Sequence, residues 1–143
     1  MTDHASYLSD FTRFVSSRST LLSHRDPEVV LGAYSDLIAE IDKGYDDEPE
    51  EYDNDMSIRS LIQELLDCQE LRSHPEFAQF SAAVAKMDTE LQALLTPDAK
   101  RPAYGDDQDQ WWRVRLPLRA SGNFREYMTL AWGYTAEDSH AQP

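Results

Sequence analysis

The chain is poor in the residues that most small-molecule chemistry requires. It has one cysteine, Cys68, and therefore forms no internal disulfide, which points to a reducing compartment. It has four histidines, His4, His24, His74 and His140, none in an HExxH motif and none clustered with cysteine, so no zinc site is expected. It has five glycines and no glycine-rich loop, which argues against a phosphate-cradling nucleotide site. No GxSxG elbow is present. No run of about 18 apolar residues exists, so no membrane span is expected. The first twenty residues lack a basic start followed by an apolar stretch, and a cytoplasmic location is the expectation.

Positive charge is also scarce. Thirteen lysines and arginines face 27 aspartates and glutamates, a formal charge of −14 over 143 residues. Such a charge disfavours nucleic acid, whose affinity comes from cations on phosphates, and anionic membranes for the same reason. It favours basic partners. The length is that of one domain, with 41% apolar residues, enough for a core.

The periodicity is helical. Tyr7, Leu8, Phe11, Phe14, Val15 and Leu22 recur at steps of three and four. A second helix opens on Asp26 and Pro27, carries Val30, Tyr34, Leu37, Ile38 and Ile41 inward, and stops at Gly44. A third places Ile58, Leu61, Ile62, Leu65 and Leu66 inward and Cys68 near its buried side as a structural thiol. Ser73 and Glu76 have capping-box spacing before a fourth helix with Phe77, Phe80, Val84, Met87, Leu91 and Leu94. A last short helix spans 123–133, with Phe124, Tyr127, Met128, Leu130, Ala131 and Trp132, and ends at Gly133.

Residues 45–55, YDDEPEEYDND, lack apolar periodicity and read as an acidic loop; residues 96–110 read as a second loop, and 136–143 as a frayed tail. In WWRVRLP, alternation puts Trp112, Val114 and Leu116 on one face of a short extended or β segment. That segment either packs on the helices or offers an open edge to a partner's sheet. The expected fold is mostly α: a compact bundle of four to five helices over residues 1–135, one domain, with that single extended segment near the C-terminus.

Carboxylates are the one abundant functional group. From Asp36 to Asp55 stand ten acids and one base, Lys43; from Lys100 to Arg125 six bases face three acids. Asp53, Asn54 and Asp55 open like a calcium loop and Glu64 stands at its twelfth position. Ile58 replaces the glycine of the sixth, and a helix runs through it, so neither metal nor cofactor is expected. General acid–base catalysis needs two carboxyls in distinct environments, one dry, and acids crowded into a loop are all wet, so no enzyme is expected. The remaining use of the strip is protein recognition. Asp46, Asp47, Glu48, Glu50, Glu51, Asp53 and Asp55 supply charge, Tyr45 and Tyr52 supply anchors, and the exposed member of the Trp111–Trp112 pair supplies a further contact, taken as Trp111.

A small, acidic, helical chain with carboxylates interleaved with Tyr45 and Tyr52 resembles the bacterial toxin-immunity proteins. That resemblance lies in residues 36–55 and in composition; the adjacent tyrosine pair of the colicin nuclease immunity proteins is absent. It implies a cytoplasmic inhibitor that neutralises a cognate basic toxin by occlusion. The alternatives are a nucleic-acid mimic that inhibits a DNA-binding or restriction system, and an adaptor subunit without inhibitory role.

Overall fold

The computed structural model describes residues 4–18, 26–100 and 110–138. Leu22, residues 101–109 of the expected second loop and residues 139–143 of the expected tail lie outside them. The described residues form five helices of eleven residues or more: α1 (His4–Arg18), α2 (Pro27–Asp42), α3 (Pro49–Leu66), α5 (Phe77–Leu94) and α7 (Gly122–Trp132). Two four-residue turns of helix, α4 (Gln69–Arg72) and α6 (Trp111–Val114), and two strands of two residues, β1 (Arg119–Ala120) and β2 (Glu137–Asp138), complete the set. The fold is a mostly α compact bundle.

The apolar stripes place the helices. Helix α2 starts where Asp26 Oδ1 accepts the Val29 amide at 2.9 Å and Pro27 takes the first turn. Its stripe of Val30, Tyr34, Leu37, Ile38 and Ile41 is buried against α3 and α5. Helix α5 buries Phe77, Phe80, Val84 and Leu91; α1 closes the bundle with Tyr7, Phe11 and Val15. Phe11 meets Phe80 edge-on at 5.1 Å between ring centroids. Helix α7 ends at Gly133, whose φ of +66° is the left-handed conformation that favours glycine after a helix, and its amide returns to Met128 and Thr129.

Three local expectations need correction. The stretch 45–55 is not one loop, because α3 begins at Pro49. Proline at the first turn and Glu50 and Glu51 beside the positive helix end start it, and Tyr52, Met56 and Arg59 extend the inward stripe by two turns. Ser73 and Glu76 form no capping box: Ser73 Oγ donates to Glu70 O at 2.6 Å, and Glu76 makes no side-chain cap. Cys68 is half-buried in the junction between α3 and α4, beyond the end of the third helix.

The C-terminal part also differs. Trp111–Val114 is a turn of helix, and the extended run begins at Arg115. Trp112, Val114 and Leu116 are nevertheless the buried residues. The run is paired within the chain: the Thr96 amide donates to Leu116 O at 2.8 Å and the Leu118 amide to Leu94 O at 3.0 Å. Strand β1 lies parallel to β2, and Tyr45 bridges to Ala120 on its other side. Of the two alternatives for the 111–117 segment, packing within the chain holds, since its extended part pairs with residues 94–96; residues 137–138 are strand instead of frayed tail.

The interior is not purely apolar. Arg59 is 3% exposed. Its Nε and Nη2 reach Asp88 at 2.8 and 2.9 Å, Nη1 reaches Gln63 at 3.1 Å, and the guanidinium lies 4.4 Å from the Trp112 ring centroid. Tyr34 donates to the same carboxylate at 2.6 Å. One network therefore ties α2, α3, α5 and α6 together, and every arm of it is charge-assisted or aromatic. A smaller one links α1 to the α4–α5 junction, where buried His74 Nε2 lies 2.8 Å from Asp10 Oδ2.

Candidate partner-binding surface

The charged strip is mounted on two helices and the link between them. Asp36, Glu40 and Asp42 project from α2, Asp46, Asp47 and Glu48 from the link, and Glu50, Glu51, Asp53 and Asp55 from the start of α3. Nine of these ten are exposed; Asp55 is half-buried. Lys43, the one base among them, sits 3.3 Å from Glu40. That pair is exposed on both sides and is worth at most about 1 kcal/mol.

The two tyrosines are not surface anchors. Tyr45 is 2% exposed and Tyr52 fully buried. Their rings pack with Phe124 of α7, with centroids 5.1 Å apart for Tyr45–Tyr52, 4.6 Å for Tyr45–Phe124 and 5.0 Å for Tyr52–Phe124. The hydroxyls are used inside: Tyr45 donates to Asp55 Oδ2 at 2.7 Å and Tyr52 to Arg115 O at 3.2 Å. Seven residues separate them, two turns of helix if both were helical; instead Tyr45 bridges β1 and Tyr52 caps the inward stripe of α3. Burial of both is what fixes the acidic link to the bundle.

Of the tryptophan pair, Trp112 is buried and donates its Nε1 hydrogen to Ser60 Oγ at 2.9 Å. Trp111 is half-buried, edge-on to Trp112 at 5.6 Å, with Arg115 5.8 Å and Arg59 5.7 Å from its ring centroid. The guanidinium groups of Arg59 and Arg115 both lie over its ring.

Behind the strip lies a cleft of about 900 Å³ between α2, α3 and α6. Its floor is Leu37, Leu61 and Trp112; its walls carry Asp36 and Glu40 from α2, Asp55 and Glu64 from α3, and Asp67 just past the end of α3. Among the described residues, Arg18 and Arg113 are the cations on it, and Arg113 Nε is held by Ser60 Oγ at 3.1 Å and Gln110 Oε1 at 2.8 Å. The sequence reading weighed Glu64 only as a calcium ligand, counted Arg113 only among the C-terminal bases and did not single out Asp67. The signal was there: Ala33, Asp36, Leu37 and Glu40 lie on one face at steps of three and four, as do Asn54, Ser57, Ile58, Leu61 and Glu64.

Charge crowding has a measurable consequence at Asp55. Burial raises its carboxyl above the ordinary carboxylate range, and Asp47, Glu51 and Glu40 push the same way against the Tyr45 hydrogen bond. Tyr45 in turn is raised by burial and by Asp55, so it stays protonated and remains the donor. A carboxyl raised in the folded state binds its proton more tightly there than in the unfolded chain. Its ionisation therefore removes stability as pH rises from the ordinary carboxylate value through the raised one. Asp55→Asn keeps an acceptor for Tyr45 and removes the charge. It is expected to melt higher than the wild type above that pH window and equally below it, in thermal unfolding followed over a pH series. A variant melting lower at neutral pH would contradict the assignment.

Among the described residues, no three histidine, cysteine, aspartate or glutamate side chains gather as a metal ion would require, and no helix is long and apolar enough to cross a membrane. No family model matches the chain, and neither the curated proteins nor the solved structures include a significant match.

Proposed function

We propose that the protein binds a basic protein through the carboxylate surface of α2, the 43–48 link and the start of α3, and inhibits it by occlusion. In this reading it is a bacterial immunity protein acting in the cytoplasm on a cognate toxin, with no catalytic step of its own. One observation above others supports it: nine exposed carboxylates with a single lysine among them, carried by elements that buried tyrosines pin to the core. Surface charge held in place needs no ordering on binding, which lowers the entropic cost of association. Concentrated opposite charge also steers encounter, toward rates of about 10⁸ M⁻¹s⁻¹ at low salt.

A second reading, a nucleic-acid mimic, gains from the same placement, because acids on helices have regular spacing that a loop lacks. The two differ in the partner: a mimic's partner is released by duplex DNA.

The test is capture from the native host at low and high salt. The baits are the wild type and a variant with Asp46→Asn, Asp47→Asn, Glu48→Gln, Glu50→Gln and Glu51→Gln. The expected result is a basic protein retained by the wild type, lost by the variant, and inhibited in its own assay when the wild type is added. A partner kept equally by both baits, or captured without loss of activity, would sink the reading.

A further inference from the structure

We infer that the outer face of α7, through Tyr127 and Leu130, is the apolar anchor of the proposed interface and seats in an apolar hollow beside the basic patch of the partner. This rests on the binding reading above and adds a contact that charge does not supply.

Helix α7 is apolar on two sides. Phe124 and Met128 are buried in the core. Tyr127 and Leu130 are 44% and 87% exposed, and with Leu118 they are the large apolar side chains left exposed among the described residues. A helix that packs by one face ordinarily carries polar residues on the other. Among the described residues of α7, Glu126 is the one exposed charge, because Arg125 is half-buried and its Nε donates to Ala136 O at 2.8 Å. The Tyr127 ring stands edge-on to Trp132 with centroids 5.0 Å apart, which holds it in place before any partner arrives.

Placement selects the occupant. Asn123, Tyr127 and Leu130 follow one another at steps of four and three, a single stripe ~10 Å long. At its near end Asn123 Nδ2 donates to Glu48 Oε1 at 3.2 Å, so the stripe continues directly from the carboxylate surface. A partner drawn to those carboxylates is basic, and it reaches the stripe without leaving them. A second copy of the chain fits worse. Two side chains cover far less than the ~800 Å² per partner of a stable interface, so the stripe alone holds no dimer. A symmetric contact across it would also bring together Glu48 and Glu126 of two chains, each of formal charge −14. The two parts of the surface then act on different rates: the carboxylates set association, and the stripe, once covered, sets dissociation.

The probe is the basic protein that the wild-type bait captures and inhibits, purified. Its association and dissociation rates are measured against the wild type, Tyr127→Ala, Leu130→Ser and the variant neutralised at Asp46, Asp47, Glu48, Glu50 and Glu51. Tyr127→Ala and Leu130→Ser are each expected to release it about tenfold faster at an unchanged association rate. Leu130→Ser, at a position open to solvent, is expected to melt with the wild type, so that its effect on release is not one of folding. Dissociation as slow as the wild type's in both variants, with the neutralised variant still slow to associate, would overturn the inference and leave the binding reading standing. Sedimentation equilibrium of the full chain alone is expected to give a monomer. A dimer that Leu130→Ser dissolves would make the stripe a contact between copies and contradict the inference. Failure to capture and inhibit any basic protein would remove the binding reading and the inference together.

Discussion

Replacing Arg59 with alanine is expected to lower the free energy of unfolding by about 3 kcal/mol. The guanidinium is 4% exposed and makes a bidentate contact with Asp88, which is itself mostly covered. Its removal leaves that carboxylate with the Tyr34 hydroxyl, takes the cation from the face of Trp112 and removes the donor to Gln63 Oε1. The pair's partner in the same interior then carries an uncompensated charge, and that penalty exceeds the worth of the pair itself. A double variant, Arg59→Met with Asp88→Leu, removes both charges at similar volume and is expected to be less destabilised than either single change. Chemical denaturation of the three variants checks this; a single variant as stable as the wild type would contradict it.

Tyr52→Ala is expected to cost about 3–5 kcal/mol of stability, the range for an aromatic ring removed from a packed core. The ring is fully buried against Tyr45 and Phe124, so its loss opens a cavity between α3, the 43–48 link and α7. Tyr52→Phe deletes the 3.2 Å bond to Arg115 O and should cost about 1 kcal/mol. The pair separates a core role from an anchor role. A surface anchor would lose binding on truncation and leave the unfolding curve unchanged, and that outcome would contradict the buried placement.

The helix stripes were legible because they obey one rule. Val30, Tyr34, Leu37, Ile38 and Ile41 in α2 and Phe77, Phe80, Val84 and Leu91 in α5 are apolar at helical spacing, and all are buried. The caps at Asp26 and Gly133 were legible for the same reason: a local residue type answers a local need. The reading failed where polarity hid periodicity. Tyr52, Met56 and Arg59 continue the α3 stripe, but seven carboxylates around the first two and the charge of the third disguise it. Pro49 followed by Glu50 and Glu51 was the available signal for a helix start.

Burial of charge is a tertiary fact. Nothing near Arg59 in sequence announces Asp88, which lies 29 residues away on another helix. Tyr45 and Tyr52 were read as anchors because tyrosine beside acids suits an interface; their contact with Phe124, more than seventy residues on, could not be foreseen from spacing. The acidic strip was legible as composition, whereas the cleft beside it was not, since its walls come from α2, α3 and α6 and exist only once these pack.

The central claim is that the carboxylate surface recognises a basic protein. Its most direct measurement is the association rate constant between the captured partner and the protein, taken over a salt series for the wild type and for the variant neutralised at Asp46, Asp47, Glu48, Glu50 and Glu51. The account predicts a fast wild-type rate that falls steeply with salt and a slow variant rate that barely changes. Equal rates with equal salt dependence would contradict it.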